Sequence, residues 1–346
     1  MISLLLVNYR SAPLAADAIR SARAATALPL QVVVVDNSAD RAEADRLRPH
    51  AEVLVAPASN LGYAGGINAG RPHCTGEIIV ISNPDVVFSA GSIDELIRVM
   101  ENRNAAVAGP ALYWDNAHAW ILPPSELHTA REQLDEALAT RSGWWARARD
   151  RRRIAMRLRF WSLQDSVERR AISGAIMAVR AADLDAAGGF DERFALYFEE
   201  NDFLRRVASN ARPIVYVPTA RCRHLYNQSA GGERDRVALM YAESEMRYLA
   251  KWHGAAIARF LKRIERRKNA PAHPRIDGPV PLPAGDLLIE ASPLATFETA
   301  AGHFPTTRTV DVPPEVWSSY RSDVLYVRVV DQKSFRVLAT YARYRS

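Results

Sequence analysis

Leu30-Gln31-Val32-Val33-Val34-Val35-Asp36-Asn37-Ser38 is the stretch on which the fold turns. Four consecutive valines are too short for a helix and too uniformly apolar for a strand with one wet face. They predict a strand covered on both sides, as in a parallel sheet, closed by the polar triplet that follows. Working outward, the pattern recurs. Ile2 to Val7 is a second apolar run of strand length, Val53 to Ala56 a third, and Glu77 to Ser82 a fourth that ends at Asn83-Pro84-Asp85. Between them Pro13 to Ala27 is Ala-rich, Arg41 to Leu47 is helical in pattern, Asn68 to His73 follows a glycine-rich loop, and Ile93 to Asn102 is amphipathic. Strand and helix in alternation give an α/β class, a mainly parallel sheet with flanking helices. In such sheets ligands bind beyond the carboxyl ends of the strands, which singles out Asn8, Tyr9, Asp36, Asn37, Asn60 and Asp85.

Further along, residues 118–170 read as an insertion, with Trp120, Trp144, Trp145 and Trp161 set among arginines. Strand pattern resumes at Ile172 to Val179 and Ile214 to Val217; Glu200 to Ser209 is helical, and Arg234 to Lys268 is a long helix broken near Gly254. Five prolines between Pro271 and Pro283 mark a linker. Beyond it, alternating short strands predict a small antiparallel β domain. The expected organisation is therefore a main domain over 1–270, a Pro-rich linker over 271–285 and a β domain over 286–346. A chain of 346 residues suits about two domains at roughly 100 to 200 residues each.

The net charge of +6 is unevenly placed. Ten arginines against three acids give the segment 141–170 a local +7, and six basic residues against Glu265 give 259–268 a local +5, so the rest of the chain carries −6. An acidic body with two basic segments argues against a nucleic-acid binder, which would need the cations on a recognised module. The Arg/Trp segment reads either as a solvated helix face or as a platform at a bilayer surface. Two cysteines, Cys74 and Cys222, are too few for a disulfide framework and are expected as small buried hydrophobes in a reducing compartment. No apolar run reaches a spanning length, and Met1 leads straight into a strand without a basic leader, so a cytoplasmic protein is expected, with peripheral contact at the inner face of a membrane through 141–170.

Several short motifs carry chemistry. Asp36, ending the valine strand, can accept from the imide N–H of a uracil or thymine base, or can cap the next helix. Asn60-Leu61-Gly62-Tyr63-Ala64-Gly65-Gly66-Ile67-Asn68-Ala69-Gly70 packs its glycines before a helix, which suits either a close backbone approach to phosphate or a plain turn. It lacks the Lys-Ser/Thr of a P-loop and the dinucleotide spacing. Asp85 follows a strand end and can hold Mg²⁺ or Mn²⁺, or serve as a turn aspartate. Tyr197-Phe198-Glu199-Glu200-Asn201-Asp202 opens a helix with three acids. These suit the positive end of the helix dipole, or supply a general base for an acceptor hydroxyl. His224 stands after a strand as a metal ligand, a phosphate contact or a structural histidine.

The ordered set Val7-Asn8-Tyr9, Asp36-Asn37-Ser38, Asn60-x-Gly-x-x-Gly-Gly-x-Asn, Asn83-Pro84-Asp85, Ser173-Gly174-Ala175, Gly188-Gly189-Phe190-Asp191-Glu192, Tyr197-Phe198-Glu199-Glu200-x-Asp202 and His224 resembles glycosyltransferase family 2 over about residues 1–255, most closely its bacterial rhamnosyltransferase branch. The resemblance implies a GT-A fold, an inverting transfer from a nucleotide-sugar donor and a divalent cation. It implies Asn8, Tyr9, Asp36, Asn60, Gly62, Gly66, Asn68 and Asn83 around the donor, Asp85 and His224 on the metal, Glu200 with Glu199 as the catalytic base, and Asp202 as an acceptor or structural acid. Asn83 stands where the family usually has the first acid of Asp-x-Asp, and Glu200 where it usually has an aspartate. Leu225-Tyr226-Asn227-Gln228-Ser229 follows His224 where glycines are common. The first expected donor is dTDP-L-rhamnose, with UDP-hexoses as the alternative, and the acceptor a glycan or lipid-linked glycan; a homodimer is left open. A nucleotidyltransferase would show glycines directly after the first strand, where this chain has Asn8-Tyr9-Arg10-Ser11.

Overall fold

The computed structural model describes residues 1–194, 196–209, 212–225, 234–264, 272–319 and 322–345. Residues 226–229 after His224, the end of the second basic segment at 265–268, and the first proline of the Pro-rich stretch lie outside the described residues.

The first part alternates: β1 (Ile2–Asn8), α1 (Ala12–Ala24), β2 (Leu30–Asp36), α2 (Arg41–Leu47), β3 (Val53–Val55), α3 (Gly62–Gly70), β4 (Ile78–Ser82), β5 (Val86–Phe88), α4 (Ser92–Asn102) and β6 (Val107–Tyr113). There follow α5 (Ala130–Ala139), α6 (Gly143–Trp161), β7 (Val167–Glu168), β8 (Ile176–Arg180), α7 (Ala181–Ala186), α8 (Glu199–Val207), β9 (Ile214–His224), α9 (Arg234–His253) and α10 (Ala255–Ile264). The last part holds β10 (Val280–Pro281), β11 (Leu287–Ser292), β12 (Ala301–His303), β13 (Thr309–Val310), α11 (Pro314–Ser319), β14 (Val324–Asp331) and β15 (Val337–Tyr344).

Nine strands form the main sheet in the order β3-β2-β1-β4-β8-β6-β9-β5, with β7 also on β9. The run β3-β2-β1-β4 is parallel, β8 is inserted antiparallel between β4 and β6, and β6 and β9 are parallel to each other. The class is α/β, with a mixed, mostly parallel sheet. Alternate residues of the buried strands feed two cores. Leu4, Leu6, Val32, Val34 and Val80 pack with α1 and α4 on one face, while Leu5, Val7, Val33, Val35, Ile79 and Ile81 pack with α3 and α8 on the other. The four valines thus bury on both sides, as their pattern requires.

One expectation needs correction. The glycine-rich stretch is not a loop ahead of a helix at Asn68; it is the helix, from Gly62 to Gly70. The glycines let α3 lie directly on the sheet, because a Cβ at Gly66 would meet Val7 Cγ1 at 2.7 Å and Asn37 Nδ2 at 3.0 Å. Cys74 and Cys222 are buried and unpaired, as expected.

The C-terminal strands form an antiparallel sheet, β12-β11-β14-β15, and a two-stranded β10-β13 pair. This part shares the core of the first: Val280, Leu282, Ile289, Val327 and Val329 belong to the cluster that holds Leu4 and Val80. Ile121 bridges to Gly302, Trp120 stacks on His303 at 4.9 Å between ring centroids, and a Cβ at Gly302 would run into the Trp161 ring. The tryptophans at 120 and 161 are therefore packing residues, and the insertion is the joint to the C-terminal sheet.

Candidate functional site

The carboxyl ends of β1, β2, β4, β6 and β9 point the same way, and every strand-end residue singled out in the sequence lies at that end of the sheet. At the β1/β2 side, Asp36 is buried. Its Oδ1 accepts from Asn8 Nδ2 at 2.9 Å, Ser38 Oγ at 2.6 Å and Ser38 N at 3.2 Å. Its Oδ2 is buried with no hydrogen-bond partner among the described residues. The cap of α2 is Asp40, which accepts from Ala42 N at 2.8 Å, so the capping alternative for Asp36 falls away. Asn8 is saturated, since its Oδ1 accepts from Ser11 N and Oγ and its Nδ2 also reaches Glu43 Oε2 at 3.3 Å. Asn8 therefore orients Asp36. Buried Glu43, which also accepts from Ala12 N at 3.0 Å, anchors this chain of bonds; in the sequence it reads as one more helix residue. Tyr9 stands exposed, with the Arg10 guanidinium 5.4 Å over its ring.

On α3, Asn60 Oδ1 accepts from Gly62 N at 2.8 Å and sets the entry turn. Asn68 is held by the 188–192 loop: it donates to Phe190 O at 2.8 Å and Glu192 Oε1 at 2.8 Å and accepts from Phe190 N at 2.9 Å. Gly188 and Gly189 turn there at φ 71° and 70°, and Gly189 leaves space for the Asn68 carbonyl. Gly66 and Asn68 thus position α3 and the loop. Tyr63, on the same helix, donates from its Oη to Gly174 O at 3.2 Å. Burial, and then the charges of Glu199, Glu200 and Asp85, push its phenol well above the ordinary value. Tyr63 is the residue the sequence reading missed: it lies among three carboxylates, two from the start of α8 and one from the turn between β4 and β5.

Asp85 and His224 meet because β5 pairs antiparallel with β9, Val86 standing opposite His224 and Leu225 N donating to Asp85 O at 3.1 Å. His224 Nε2 lies 3.3 Å from Asp85 Oδ1. Burial by itself raises the Asp85 carboxyl, but the charge and hydrogen bond of His224 outweigh it and hold the group below its ordinary value. Asn83 sits two residues before, its N–H bound to Ala175 O at 2.8 Å.

Glu199 and Glu200 open α8, where the helix dipole favours anions. The approach is strained: Tyr197 and Phe198 both have left-handed backbones, φ 65° and 68°, although neither is glycine. Such conformations cost about 1–3 kcal/mol each and persist where surrounding packing enforces them. Here Phe198 is buried against Phe194 and Tyr248. Glu199 is buried with Oε2 unpartnered among the described residues; Glu200, half-buried, lies against Gly174, where a Cβ would meet its Cγ at 2.9 Å. Burial raises both carboxyls, and the charge of Glu200 raises Glu199 further. Asp202 is different. It accepts from Lys251 Nζ at 2.6 Å, Trp252 Nε1 at 2.9 Å and Arg206 Nε at 2.9 Å, which ties α8 to α9.

A family model, the glycosyltransferase like family 2, matches residues 2–238, which span the candidate site residues from Asn8 to His224. The chain belongs to this family. As a glycosyltransferase it is similar to the N-acetylglucosaminyl-diphospho-decaprenol L-rhamnosyltransferase of Mycobacterium tuberculosis, 26% identical over 269 residues that cover 72% of this chain and 83% of that protein. It is also similar to an uncharacterised glycosyltransferase of Nostoc, 26% identical over 168 residues, 39% of this chain and 52% of that one. Among solved structures, the mannosyltransferase PcManGT of Pyrobaculum calidifontis in complex with GDP-mannose and Mn²⁺ aligns at a TM-score of 0.48 and 16% identity, covering 72% of this glycosyltransferase and 63% of that chain. Among the described residues no helix is long and apolar enough to cross a membrane.

Proposed function

We propose that this glycosyltransferase, of the GT-A type, moves a sugar with inversion from a nucleoside-diphosphate donor, dTDP-L-rhamnose, to a hydroxyl of a lipid-linked glycan. The observation that carries the reading is the gathering of two raised carboxylates, buried Glu199 and half-buried Glu200, and the Asp85–His224 pair around Tyr63 at the mouth of the sheet. The rhamnosyltransferase relative supports the choice of sugar and acceptor.

At the base end, Asp36 presents one free carboxylate oxygen to an imide N–H while Asn8 and Ser38 hold the other. At the reacting end, Glu200 takes the proton of the acceptor hydroxyl as that oxygen attacks the anomeric carbon. The nucleoside diphosphate departs from the opposite face with the bonding electrons. Burial raises the Glu200 carboxyl, which makes it a stronger base than a solvated glutamate, and its charge in turn keeps Glu199 beside it raised. Among the described residues no group of three His, Cys, Asp or Glu gathers to form a closed metal site, but a buried carboxylate with an imidazole 3.3 Å away fits a divalent cation that completes its oxygen shell from phosphate and water. Asp85 and His224 would hold Mg²⁺ or Mn²⁺, which supplies positive charge to the leaving diphosphate.

Thermal unfolding in the presence of dTDP-L-rhamnose, UDP-glucose, UDP-galactose and GDP-mannose, each with and without Mn²⁺, tests the donor. Selective, Mn²⁺-dependent stabilisation by dTDP-L-rhamnose is expected. Selective stabilisation by a UDP-hexose overturns the sugar assignment, and stabilisation unaffected by Mn²⁺ overturns the role of Asp85 and His224.

A further inference from the structure

The two basic segments, far apart in the sequence, meet in space. Helix α5 packs between α6 and α10, and Arg141 Nη2 donates to Ile264 O at 3.4 Å. Along α6 the arginines divide by face. Arg149, Arg153 and Arg157 turn inward to Glu298, the Phe297 carbonyl and Glu290 of the C-terminal sheet. Trp144, Arg147 and Arg151, spaced one helical stripe apart, stay exposed, Trp144 at 67%. On α5 the corresponding outward stripe is Arg131, Leu134 and Leu138, all exposed, between the side that touches α6 through Asp135 and the side that packs with α10 through Ala130. On α10, Ala258 and Leu261 are buried, and Lys262 turns to Glu245 of α9. The opposite edge, bordering α5, carries Ile257 and Phe260, exposed at 47% and 56%. Arg259 and Arg263 are exposed on the same helix.

This face therefore sets the rings of Trp144 and Phe260 and the aliphatic side chains of Leu134, Leu138 and Ile257 among cations, with Glu132 as the exposed acid and Asp135 and Glu136 drawn to Arg149 and Arg152. A second copy is a poor occupant, since a two-fold contact would oppose cation to cation. We infer that the outer face of α5, the first half of α6 and α10 docks on a bilayer containing anionic phospholipid, Trp144, Ile257 and Phe260 entering the interface and the flanking arginines pairing with headgroups. The chemistry is that of interfacial helices, where apolar insertion and cation attraction act together. The face borders the catalytic acids: α5 follows His128, whose ring lies edge-on to Phe198 at 5.1 Å, and exposed Tyr241 on α9 touches the rings of Tyr197 at 5.5 Å and Phe198 at 5.1 Å. A lipid-linked acceptor held at the surface would reach Glu200 past this aromatic rim, so the purpose of the contact rests on the acceptor proposed above, while the contact itself does not.

The test is co-sedimentation of the full chain with vesicles of phosphatidylcholine alone or mixed equally with phosphatidylglycerol, without donor or acceptor. Wild type should partition onto the mixed vesicles. Trp144→Ser with Phe260→Ser, and separately Arg147→Glu with Arg259→Glu, should each weaken binding by at least about ten-fold. Phe260→Trp should keep it, and all should melt with wild type because the four residues are exposed. Wild type remaining in solution with mixed vesicles, equal sedimentation of the double variants, or a self-association in the absence of lipid that these substitutions abolish would each overturn the proposal. None of these results bears on the donor screen, so the two readings fail separately.

Discussion

Two regions of the molecule bury carboxylates and treat them in opposite ways. At the joint between α6 and the C-terminal sheet, Glu290 has no solvent exposure and accepts from Arg157 Nη1 at 2.9 Å and Arg328 Nε at 2.6 Å, while Arg328 also holds Asp150 at 3.0 Å. Burial would raise the Glu290 carboxyl, yet the two guanidiniums outweigh it and keep the group below its ordinary value. At the start of α8, Glu199 and Glu200 lie side by side with no cation paired to either among the described residues, and burial raises both. Buried charge with its counter-charge is scaffold. Buried charge without one, on a strained helix start, is what the proposed function uses as a proton acceptor.

The largest effect that would break this contrast is at Glu200. Glu200→Gln should lower transfer by about 10²–10⁴-fold with donor binding unchanged, read by steady-state kinetics and calorimetric titration of the donor. Unaltered turnover would move the base elsewhere. Next, Glu290→Ala should destabilise the fold by about 3–5 kcal/mol in urea unfolding, because two buried guanidiniums would lose their shared counter-charge, Arg157 keeping the Glu298 carbonyl and Arg328 keeping Asp150; a loss under about 1 kcal/mol would show that water already reaches the joint.

The two regions also predict opposite pH profiles. The folded pKa values of Glu199 and Glu200 are raised above 4.5, so the stability they contribute is complete below that pH and falls as pH rises through their folded values. Glu290 is lowered, so its contribution is present above 4.5 and is lost as pH falls through its folded value. Glu199→Gln should therefore stabilise the protein by about 1 kcal/mol at mildly alkaline pH and leave acid stability unchanged, read as melting temperature across a pH series. Identical profiles for the variant and wild type would show that Glu199 shares no proton with Glu200. The smallest effect belongs to Tyr63→Phe, which removes one hydrogen bond to Gly174 O. A cost of about 1 kcal/mol and a drop in kcat under about ten-fold are expected, and a larger fall in kcat alone would promote Tyr63 from positioning to chemistry.

Much of the site was legible in the sequence because strand ends announce themselves. Asp36 after Val32–Val35 and Asp85 after Ile78–Ser82 reach the mouth of the sheet by local pattern alone. What the pattern missed depends on packing. The glycines of α3 read as a loop because glycine is a poor helix former, yet close contact with Val7 and Asn37 stabilises the helix they form. Nothing local to Asn68 shows that it bonds to Phe190 and Glu192 across the chain. Tyr63 and Glu43 carried no distinguishing neighbours, since the acids and amides that give them meaning come from other elements.

The sequence by itself determined the alternation of strands and helices, the end of the sheet where chemistry gathers, and the existence of two basic segments on an acidic chain. Those are properties of periodicity and composition, readable from near neighbours. Only the tertiary structure decided that Glu290, a lone acid in an apolar strand, is answered by Arg157 and Arg328, that Asp202 is tied to Lys251 and Arg206, and that the arginines of α6 split between a buried joint and an exposed face shared with α10. A charge's role is set by whether a partner stands within a few ångströms, and that partner is chosen by the fold, for Glu290 and Arg157 across 133 residues of chain.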